Sequence, residues 1–324
     1  MKMKFTIGFE KEDTRKLHEY WDEIIASEQW TEGKFTRLFE EKWAESHRIP
    51  SVAFSSWGGA ALTALEFFGV RGKTVLCPSN TFMATPLSVI KAGGRVEFVD
   101  CNKNDLCLSL EDLTIKIEKY NPVAVWVVHI GGHIAFQIDA ISSLCQKKGI
   151  ILLEDCAHAH GASWNGKKAG TWGDAGIYSF YATKTITTGE GGMLVTRNAD
   201  LLEFAKRYRN YGKFDYAVEG LNYRMNEFTA AIGVVQTERL DDIVAWKNTY
   251  VQKHLDPNFP NRIKFPEGMV SGYYKYIVFD PIEKSTGKVY DQPCHKIMSK
   301  NYALPNSEWV ATHHWCVPLY YKGI

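Results

Sequence analysis

Short apolar runs alternate with amphipathic helical patterns along the first half of this sequence. The runs cover residues 52–55, 74–77, 95–99, 123–128 and 150–154, and each of the first four is followed by a helical pattern. Strands rich in valine, isoleucine and leucine that alternate with helices are typical of a mostly parallel sheet covered on both faces. The sequence therefore predicts an α/β protein. Since ligands gather at the carboxyl ends of such strands, the residues just after each run are candidates for chemistry.

The pattern changes after residue 184, where the elements become less regular. The remaining predicted elements are helices at 13–29, 34–46, 200–209 and 226–246 and strands at 175–180, 191–196 and 273–279. From about residue 257 onward the chain is rich in proline and tyrosine. We therefore predict a large domain over residues 1–240 and a smaller, shortened C-terminal α+β domain over residues 241–324.

The charge balance argues against a polyanionic partner. Lysine and arginine number 38 against 37 acidic residues, a net charge of +1, which gives no field to hold nucleic acid or an anionic membrane. No apolar run approaches the ~18–20 residues of a membrane span, and the first residues lack the apolar stretch of a secretory signal. The seven cysteines, an odd number without paired spacing, favour a reducing compartment. We expect a cytoplasmic protein.

A carboxylate and two histidines directly follow the fifth predicted strand, in the stretch Leu153-Glu-Asp-Cys-Ala-His-Ala-His-Gly161. Asp155 in that place can be a helix cap, a metal ligand or the partner of a buried cation. His158 and His160 are two residues apart, which differs from the spacing of a helical two-histidine metal site, and no third ligand cluster stands out. We therefore predict no metal site and keep the other two interpretations of Asp155 open.

A lysine stands in a threonine- and glycine-rich stretch just past the strand at 175–180. Lys184 is oddly placed there for a surface charge. Pyridoxal phosphate chemistry uses a lysine amine for a Schiff base and an aspartate that keeps the pyridine nitrogen protonated. The phosphate is preferably held at a helix N-terminus, and the turn Ser56-Trp-Gly-Gly-Ala60 offers such a site. Taken alone, two adjacent glycines more often indicate a plain tight turn.

Several longer stretches together carry a resemblance to a known family. They are Phe39–Ala44, Ser55–Leu62, Pro78–Thr85, Gly94–Asp100, Val128-His129, Glu154–Ala162, Ser179–Lys184, Gly189–Gly192 and Leu221–Glu227. In this order they resemble the DegT/DnrJ/EryC1/StrS family of fold-type I pyridoxal-phosphate sugar aminotransferases, over about residues 30–240. The C-terminal third is similar only loosely, through Val317-Pro-Leu-Tyr320. The resemblance implies a mostly parallel seven-stranded sheet flanked by helices.

The resemblance also implies roles for four residues around a cofactor ring. Lys184 resembles the Schiff-base lysine that moves the proton between cofactor and substrate carbons, which fits a desolvated, uncharged amine. Asp155 matches the partner of the pyridinium nitrogen. Phe82 matches the aromatic residue that stacks on the ring, and His158 stands beside the ring where many members have glutamine. A core phenylalanine and a structural histidine are the alternatives for the last two.

Four further positions concern the phosphate and a second subunit. The positions that match phosphate-binding residues of the family are Ser179, Gly58 and Gly59. Asn222 matches an asparagine that reaches the phosphate from the neighbouring subunit, which implies a homodimer with shared active sites.

Three departures from the family pattern bear on the pocket. Gly59 stands where the family usually has a threonine or serine hydroxyl. The loop at residues 131–139 is one residue longer than usual and lacks a tyrosine. The chain stops soon after Tyr320, where members usually continue into a final helix, so we expect a reduced small domain or a more open cleft.

These implied roles predict an aminotransferase. L-glutamate would donate its amino group to pyridoxal phosphate, giving pyridoxamine phosphate, and a keto sugar, most simply a nucleotide-linked one, would accept it. Arg224 is a candidate for the donor carboxylate, because a guanidinium matches a carboxylate with two hydrogen bonds, and His129 is a candidate for the sugar site. A salt bridge is the alternative for Arg224. Glutamine stays open as the donor.

Three other functions are kept beside this one. They are a cyclitol (keto-inositol) aminotransferase, an aminohydroxybenzoate synthase-like enzyme, and a non-catalytic ligand-binding homologue. A nicotinamide-binding enzyme is disfavoured, because the first predicted strand is not followed by a Gly-x-Gly-x-x-Gly turn.

Overall fold

The computed structural model describes residues 8–323 and shows helices in most of the predicted places. The α-helices are α1 (Lys11–Ser27), α2 (Lys34–His47), α3 (Trp57–Phe67), α4 (Ala84–Lys91), α5 (Leu110–Tyr120), α6 (Ile138–Lys148), α7 (Ala199–Tyr208), α8 (Glu227–Tyr250), α9 (Cys294–Ile297) and α10 (Pro305–Thr312). No helix within residues 8–323 is both long and apolar enough to cross a membrane.

The strands form one large sheet and two small ones. They are β1 (Ser51–Phe54), β2 (Thr74–Pro78), β3 (Arg95–Val99), β4 (Ala124–Val128), β5 (Ile151–Asp155), β6 (Ser163–Trp164), β7 (Lys167–Lys168), β8 (Ala175–Ser179), β9 (Gly192–Val195), β10 (Met269–Val270), β11 (Tyr276–Val278) and β12 (Trp315–Val317). The large sheet has seven strands in the order β1-β9-β8-β5-β4-β2-β3. Strands β8, β5, β4, β2 and β3 run parallel, and β9 is antiparallel to both of its neighbours. The predicted fold class is confirmed.

Helices cover both faces of the large sheet. Along β1, Val52 and Phe54 point to a core shared with α3, α4 and α7, whereas Ala53 points to a core shared with α1, α2, α5, α6 and α8. This alternation follows from the two-residue period of a strand. All five residues of β4 are buried, as expected of a parallel strand with helices on both sides.

Helices α2 and α8 are joined by one buried carboxylate. Glu227, the first residue of α8, accepts hydrogen bonds from the backbone N–H groups of Gly33, Phe35 and Thr36 at 3.0, 2.7 and 3.0 Å. These groups lie at the N-terminus of α2, whose first N–H groups have no partner within the helix. A carboxylate also suits the positive end of the helix dipole. Glu227 therefore fixes α2 against α8.

The C-terminal segment is attached to the carboxyl edge of the large sheet. Cys294 donates its backbone N–H to the carbonyl of Ser79, just after β2, at 2.8 Å. The carboxylate of Asp100, just after β3, accepts from the backbone N–H groups of Asn306 and Ser307 at 3.0 and 2.6 Å. These contacts bring the segment over the edge where the chemistry was predicted.

The element boundaries differ from the predicted ones in two places that matter for the site. The helix predicted from residue 82 begins at Ala84, so Phe82 lies in the preceding loop. The helix predicted to end at 246 continues to Tyr250, whose ring stacks on Trp246 one turn earlier with centroids 4.9 Å apart. The predicted division at residue 240 falls within α8 and stays a prediction.

Candidate active site

Lys184 lies in the loop between β8 and β9, with its side chain in a pocket at the carboxyl edge of the sheet. Its ammonium nitrogen is 4.9 Å from the centroid of the Tyr274 ring. Burial lowers the pKa of Lys184 to about 8; the nearby Asp155 carboxylate opposes this shift and Lys275 adds to it. A lysine with such a pKa is partly uncharged near neutral pH, which a nucleophilic amine requires.

Asp155 is the last residue of β5 and is buried. Its Oδ1 accepts from the indole N–H of Trp57 at 3.1 Å and from the backbone N–H of Ala157 at 3.0 Å. Its Oδ2 accepts from the hydroxyl of Thr85 at 3.0 Å. Burial raises the pKa of Asp155, while the Ala157 N–H, Lys184 and Thr85 act in the opposite direction. The hydrogen bonds orient the carboxylate and leave Oδ2 with room for a further donor.

The positions predicted to bind phosphate come together at the N-terminus of α3. Ser56 caps this helix by accepting from the backbone N–H of Gly59 at 3.2 Å. Ser179 ends β8 and pairs in register with Gly192 of β9. A Cβ on Gly192 would lie 2.4 Å from the carbonyl oxygen of Ser56, so only glycine permits this approach. Ser179 is therefore held next to the helix N-terminus, an arrangement suited to an anion.

The missing hydroxyl at Gly59 has a steric counterpart in the structure. A Cβ on Gly59 would lie 2.8 Å from Cγ and Cδ1 of Tyr223. A threonine at this position would collide with the Tyr223 ring. The helix N-terminus thus offers backbone N–H groups but no side-chain hydroxyl at residue 59. At Gly58 a Cβ would have only Ser56 Oγ within 4 Å, at 3.8 Å, so that backbone is open.

Phe82 and His158 have contrasting environments. Phe82 is 64% exposed, one turn before Thr85, whose hydroxyl contacts Asp155. His158 is buried, and its ring stacks on Tyr274 with centroids 4.3 Å apart and planes inclined by 27°. Burial, with the nearby lysines 184 and 275, lowers the pKa of His158 well below its ordinary value. His158 is therefore a neutral imidazole. An exposed phenylalanine is not a core residue, which removes the alternative considered for Phe82.

His129 is fully buried, and both ring nitrogens have partners. Nδ1 accepts from the backbone N–H of Ala135 at 3.1 Å, so Nε2 carries the proton and donates to Glu154 at 2.9 Å. Glu154 also accepts from the backbone N–H groups of Gly170, Trp172 and Gly173. This network joins the ends of β4 and β5 to the loop before β8. It does not support the predicted contact of His129 with a sugar.

The same network answers the question of a metal ion. Possible ligand atoms of His129, Glu154 and Cys156 lie within 4.8 Å of one another. However, each Glu154 oxygen already accepts two hydrogen bonds, and both His129 nitrogens are engaged. The group is therefore better described as a hydrogen-bonded structural junction than as a metal site.

Asn222 and Arg224 lie on the surface segment before α8, on either side of Tyr223. Asn222 is exposed, and Arg224 donates to the side-chain oxygen of Asn210 at 2.5 Å and lies over the Tyr211 ring. Tyr223 contributes its carbonyl to a 2.8 Å hydrogen bond with the backbone N–H of Ser55, next to α3. The two predicted residues thus lie near the N-terminus of α3.

Four residues of this site were not predicted from the sequence. Trp57 and Thr85 lay inside stretches that carried the family resemblance, but no spacing pointed to their contact with Asp155. Tyr274 and Tyr290 come from the C-terminal third, where the only match to the family was the loose one at Val317–Tyr320. The Tyr290 hydroxyl is 3.4 Å from Nε2 of His158, and Tyr274 is carried by a segment hydrogen-bonded to the carbonyls of Gly131 and Gly132.

A mostly parallel seven-stranded sheet with a half-buried lysine and a buried aspartate at its carboxyl edge is the arrangement of fold-type I pyridoxal-phosphate enzymes. The model of the DegT/DnrJ/EryC1/StrS aminotransferase family matches residues 11–262, and the chain belongs to this family. The predicted family is thus confirmed, and pyridoxal phosphate is the cofactor. The residues present fit it: an amine, a carboxylate acceptor and a helix N-terminus meet in one pocket.

Named relatives agree with this assignment. The chain is 37% identical over 222 residues to GDP-perosamine synthase of Vibrio cholerae, covering 66% of this chain and 60% of that protein. It is 32% identical over 264 residues to UDP-4-amino-4,6-dideoxy-N-acetyl-beta-L-altrosamine transaminase of Campylobacter jejuni, covering 78% and 68%. The aminotransferase TlmJ of Streptoalloteichus hindustanus has a similar structure, with a TM-score of 0.86, 27% identity and coverage of 96% and 91%.

Proposed function

We propose that this protein transfers an amino group from L-glutamate to a keto sugar linked to a nucleotide. The observation that carries the proposal is the pairing of Lys184, whose pKa burial lowers to about 8, with the buried carboxylate of Asp155 in one pocket. Burial also lowers the pKa of Lys247 to about 8, so the lowered pKa alone does not identify the reactive amine. The place of Lys184 beside Asp155, at the carboxyl edge of the sheet, is what sets it apart.

Pyridoxal phosphate, when bound, supplies a conjugated ring that accepts the electrons released at the substrate carbon. Lys184 is the residue that we propose would hold the aldehyde carbon of the bound cofactor and would carry a proton between cofactor and substrate carbons. Oδ2 of Asp155 would accept a hydrogen bond from the pyridine nitrogen and favour its protonated form. The first role requires the uncharged amine that burial favours, and the second requires an ionised carboxylate, which the hydrogen bonds from Trp57, Thr85 and Ala157 favour.

The remaining residues bind and orient. The backbone N–H groups at Gly58 and Gly59 and the hydroxyl of Ser179 would hold the phosphate at the positive end of α3. The N–H of Gly59 donates to Ser56 Oγ at 3.2 Å, so it would have to leave that partner to bind the phosphate. Phe82 would stack on the ring, and the imidazole of His158 would lie beside it.

The substrate class is proposed from the relatives. One is named for a sugar carrying GDP and the other for a sugar carrying UDP, so we propose a nucleotide-linked sugar without choosing its base. Arg224 remains our candidate for the glutamate carboxylate. It would act from the surface segment, toward the site of a second subunit.

We propose a homodimer with shared active sites, in the cytoplasm. The segment at residues 211–221 exposes large apolar side chains next to Asn222, namely Phe214 at 90%, Tyr216 at 67% and Leu221 at 55%. Such a patch is typical of a surface covered by another protein. All seven cysteines are free and buried, which supports a reducing compartment.

The test is an amino-transfer assay with purified protein, pyridoxal phosphate and L-glutamate. The acceptors are keto sugars linked to GDP and UDP, an unlinked keto sugar and a keto-inositol, and the formation of 2-oxoglutarate is followed. We expect turnover with a nucleotide-linked sugar and its loss in Lys184→Ala. Turnover with the keto-inositol alone would replace the sugar with a cyclitol, and no turnover with any acceptor would contradict the proposal.

A further inference from the structure

Trp57 is the first residue of α3, and its side chain turns away from the helix axis toward the end of β5. The indole N–H donates to Oδ1 of Asp155 at 3.1 Å. The side chain is buried, and its ring packs on Trp126 of β4 with centroids 5.6 Å apart. One residue therefore connects the helix that would hold the phosphate with the carboxylate that would hold the pyridine nitrogen.

The donors around Asp155 are distributed unevenly between its two oxygens. Oδ1 has two, from Trp57 and from the backbone of Ala157. Oδ2 has one, from the Thr85 hydroxyl, which is itself 2.9 Å from the hydroxyl of Thr81. Since each carboxylate oxygen can accept about two hydrogen bonds, Oδ1 is saturated and Oδ2 is the oxygen left for the pocket.

We propose that Trp57 is a positioning residue that holds the Asp155 carboxylate ionised and turned so that Oδ2 faces the pyridine nitrogen. This inference rests on the proposed function, because it concerns the acceptor of the cofactor ring. The backbone N–H of Ala157 can donate to Asp155 whichever side chains lie nearby. The indole N–H is a donor that this particular side chain adds.

Several charged or titratable groups also face Asp155. Lys184 favours its ionised form, and burial disfavours it most strongly. Tyr290 is close enough for the carboxylate to raise the pKa of its phenol. Removing the indole N–H while leaving these groups in place would raise the pKa of Asp155, because a hydrogen bond to the charged form would be lost.

The test compares Trp57→Phe with Trp126→Phe. Both replace an indole by a phenyl ring in the same packed pair, but within residues 8–323 the indole N–H of Trp126 has no hydrogen-bond partner. Trp126→Phe is therefore a matched control for the change in volume. We measure the equilibrium binding of pyridoxal phosphate and, in the apoprotein, the free energy of unfolding as a function of pH.

Trp57→Phe is expected to weaken binding about tenfold or more, the loss typical of a hydrogen bond to a charged group. In the folded apoprotein of this variant, the pKa of Asp155 should lie further above its value in the unfolded chain. This difference lowers the free energy of unfolding only at pH values where Asp155 is ionised. The deficit relative to wild type should therefore be absent at acidic pH, where Asp155 is protonated in both proteins, and should grow as the pH rises. Trp126→Phe should show no such trend.

The outcomes separate this inference from the proposed function. If wild type binds no pyridoxal phosphate, the proposed function fails. If wild type binds it and Trp57→Phe matches Trp126→Phe in affinity and in its pH trend, the role of Trp57 is refuted. A deficit in Trp57→Phe that is constant with pH, with unchanged affinity, would show a packing role alone and would also refute it.

Discussion

Burial shifts the pKa values of two side chains in this site in opposite directions. Desolvation favours the neutral form of each, so it lowers the pKa of Lys184 and raises that of Asp155. The Tyr274 ring lies next to the Lys184 nitrogen, whereas three hydrogen-bond donors from other residues contact the Asp155 carboxylate. The amine can therefore lose its proton near neutral pH, while the hydrogen-bond donors oppose the effect of burial on the carboxylate.

The capture of pyridoxal phosphate by the apoprotein should depend on pH through Lys184. The neutral amine is the nucleophile, and its pKa is lowered from 10.5 to about 8. The rate of capture should therefore rise with pH with a midpoint near 8, as followed by stopped-flow absorbance. A lysine-containing peptide serves as the control and should rise only toward pH ~10.4. Matching midpoints for protein and peptide would contradict the lowered pKa.

Among the single residues of the site, the sequence could predict those that lie directly after strands. Lys184 and Asp155 were identified because polar groups at the carboxyl ends of parallel strands share one edge. The contact of Trp57 with Asp155 could not be predicted, since it depends on how α3 packs beside β5. His129 also follows a strand, but the backbone N–H of Ala135 and the Glu154 carboxylate enclose it, and neither is adjacent in sequence.

Among the elements, the junction of α2 and α8 depends most on one side chain. Glu227→Gln should lower the free energy of unfolding by about 2–4 kcal/mol, because the amide replaces one acceptor oxygen by a donor that faces N–H groups. Urea unfolding measures the effect. Glu203→Gln, on the exposed side of α7, is the control and should stay within about 0.5 kcal/mol of wild type. Equal stability of both variants would refute the capping role of Glu227.

The main strands and helices were predictable because their apolar periods are long enough to read. The antiparallel direction of β9 was not, since a fully buried strand shows the same apolar run in either direction. The strands β6, β7 and β10 have two residues each, too few for any period. Helix α4 begins two residues later than predicted because the apolar pair Phe82-Met83 extends the helical pattern into a loop.

For the whole molecule, the proposed second subunit would cover the exposed apolar segment at residues 211–221 and the neighbouring Asn222. If Asn222 contributes to the active site of the partner subunit, Lys184→Ala inactivates the site of its own chain. Asn222→Asp then inactivates the site of the partner chain. The aspartate would repel the phosphate electrostatically. A refolded equal mixture of the two variants should then recover about a quarter of wild-type activity, because half of the dimers would be mixed, each with one intact site.

Each variant alone is the control and should be nearly inactive. Light scattering of the mixture shows that dimers have formed. Dimers that form without any recovery of activity would mean that Asn222 acts within its own subunit or plays no part in binding the phosphate.

The role of Lys184 in binding the cofactor is tested most directly by the visible absorbance spectrum of the protein with pyridoxal phosphate, before and after L-glutamate. Lys247 is a matched control: it is buried, its pKa is also lowered to about 8, and its amine donates to the carbonyl of Tyr273. Wild type and Lys247→Met should show the band of lysine-linked cofactor, which L-glutamate bleaches, and Lys184→Ala should lack it. A band that persists in Lys184→Ala, or disappears only in Lys247→Met, would contradict the account.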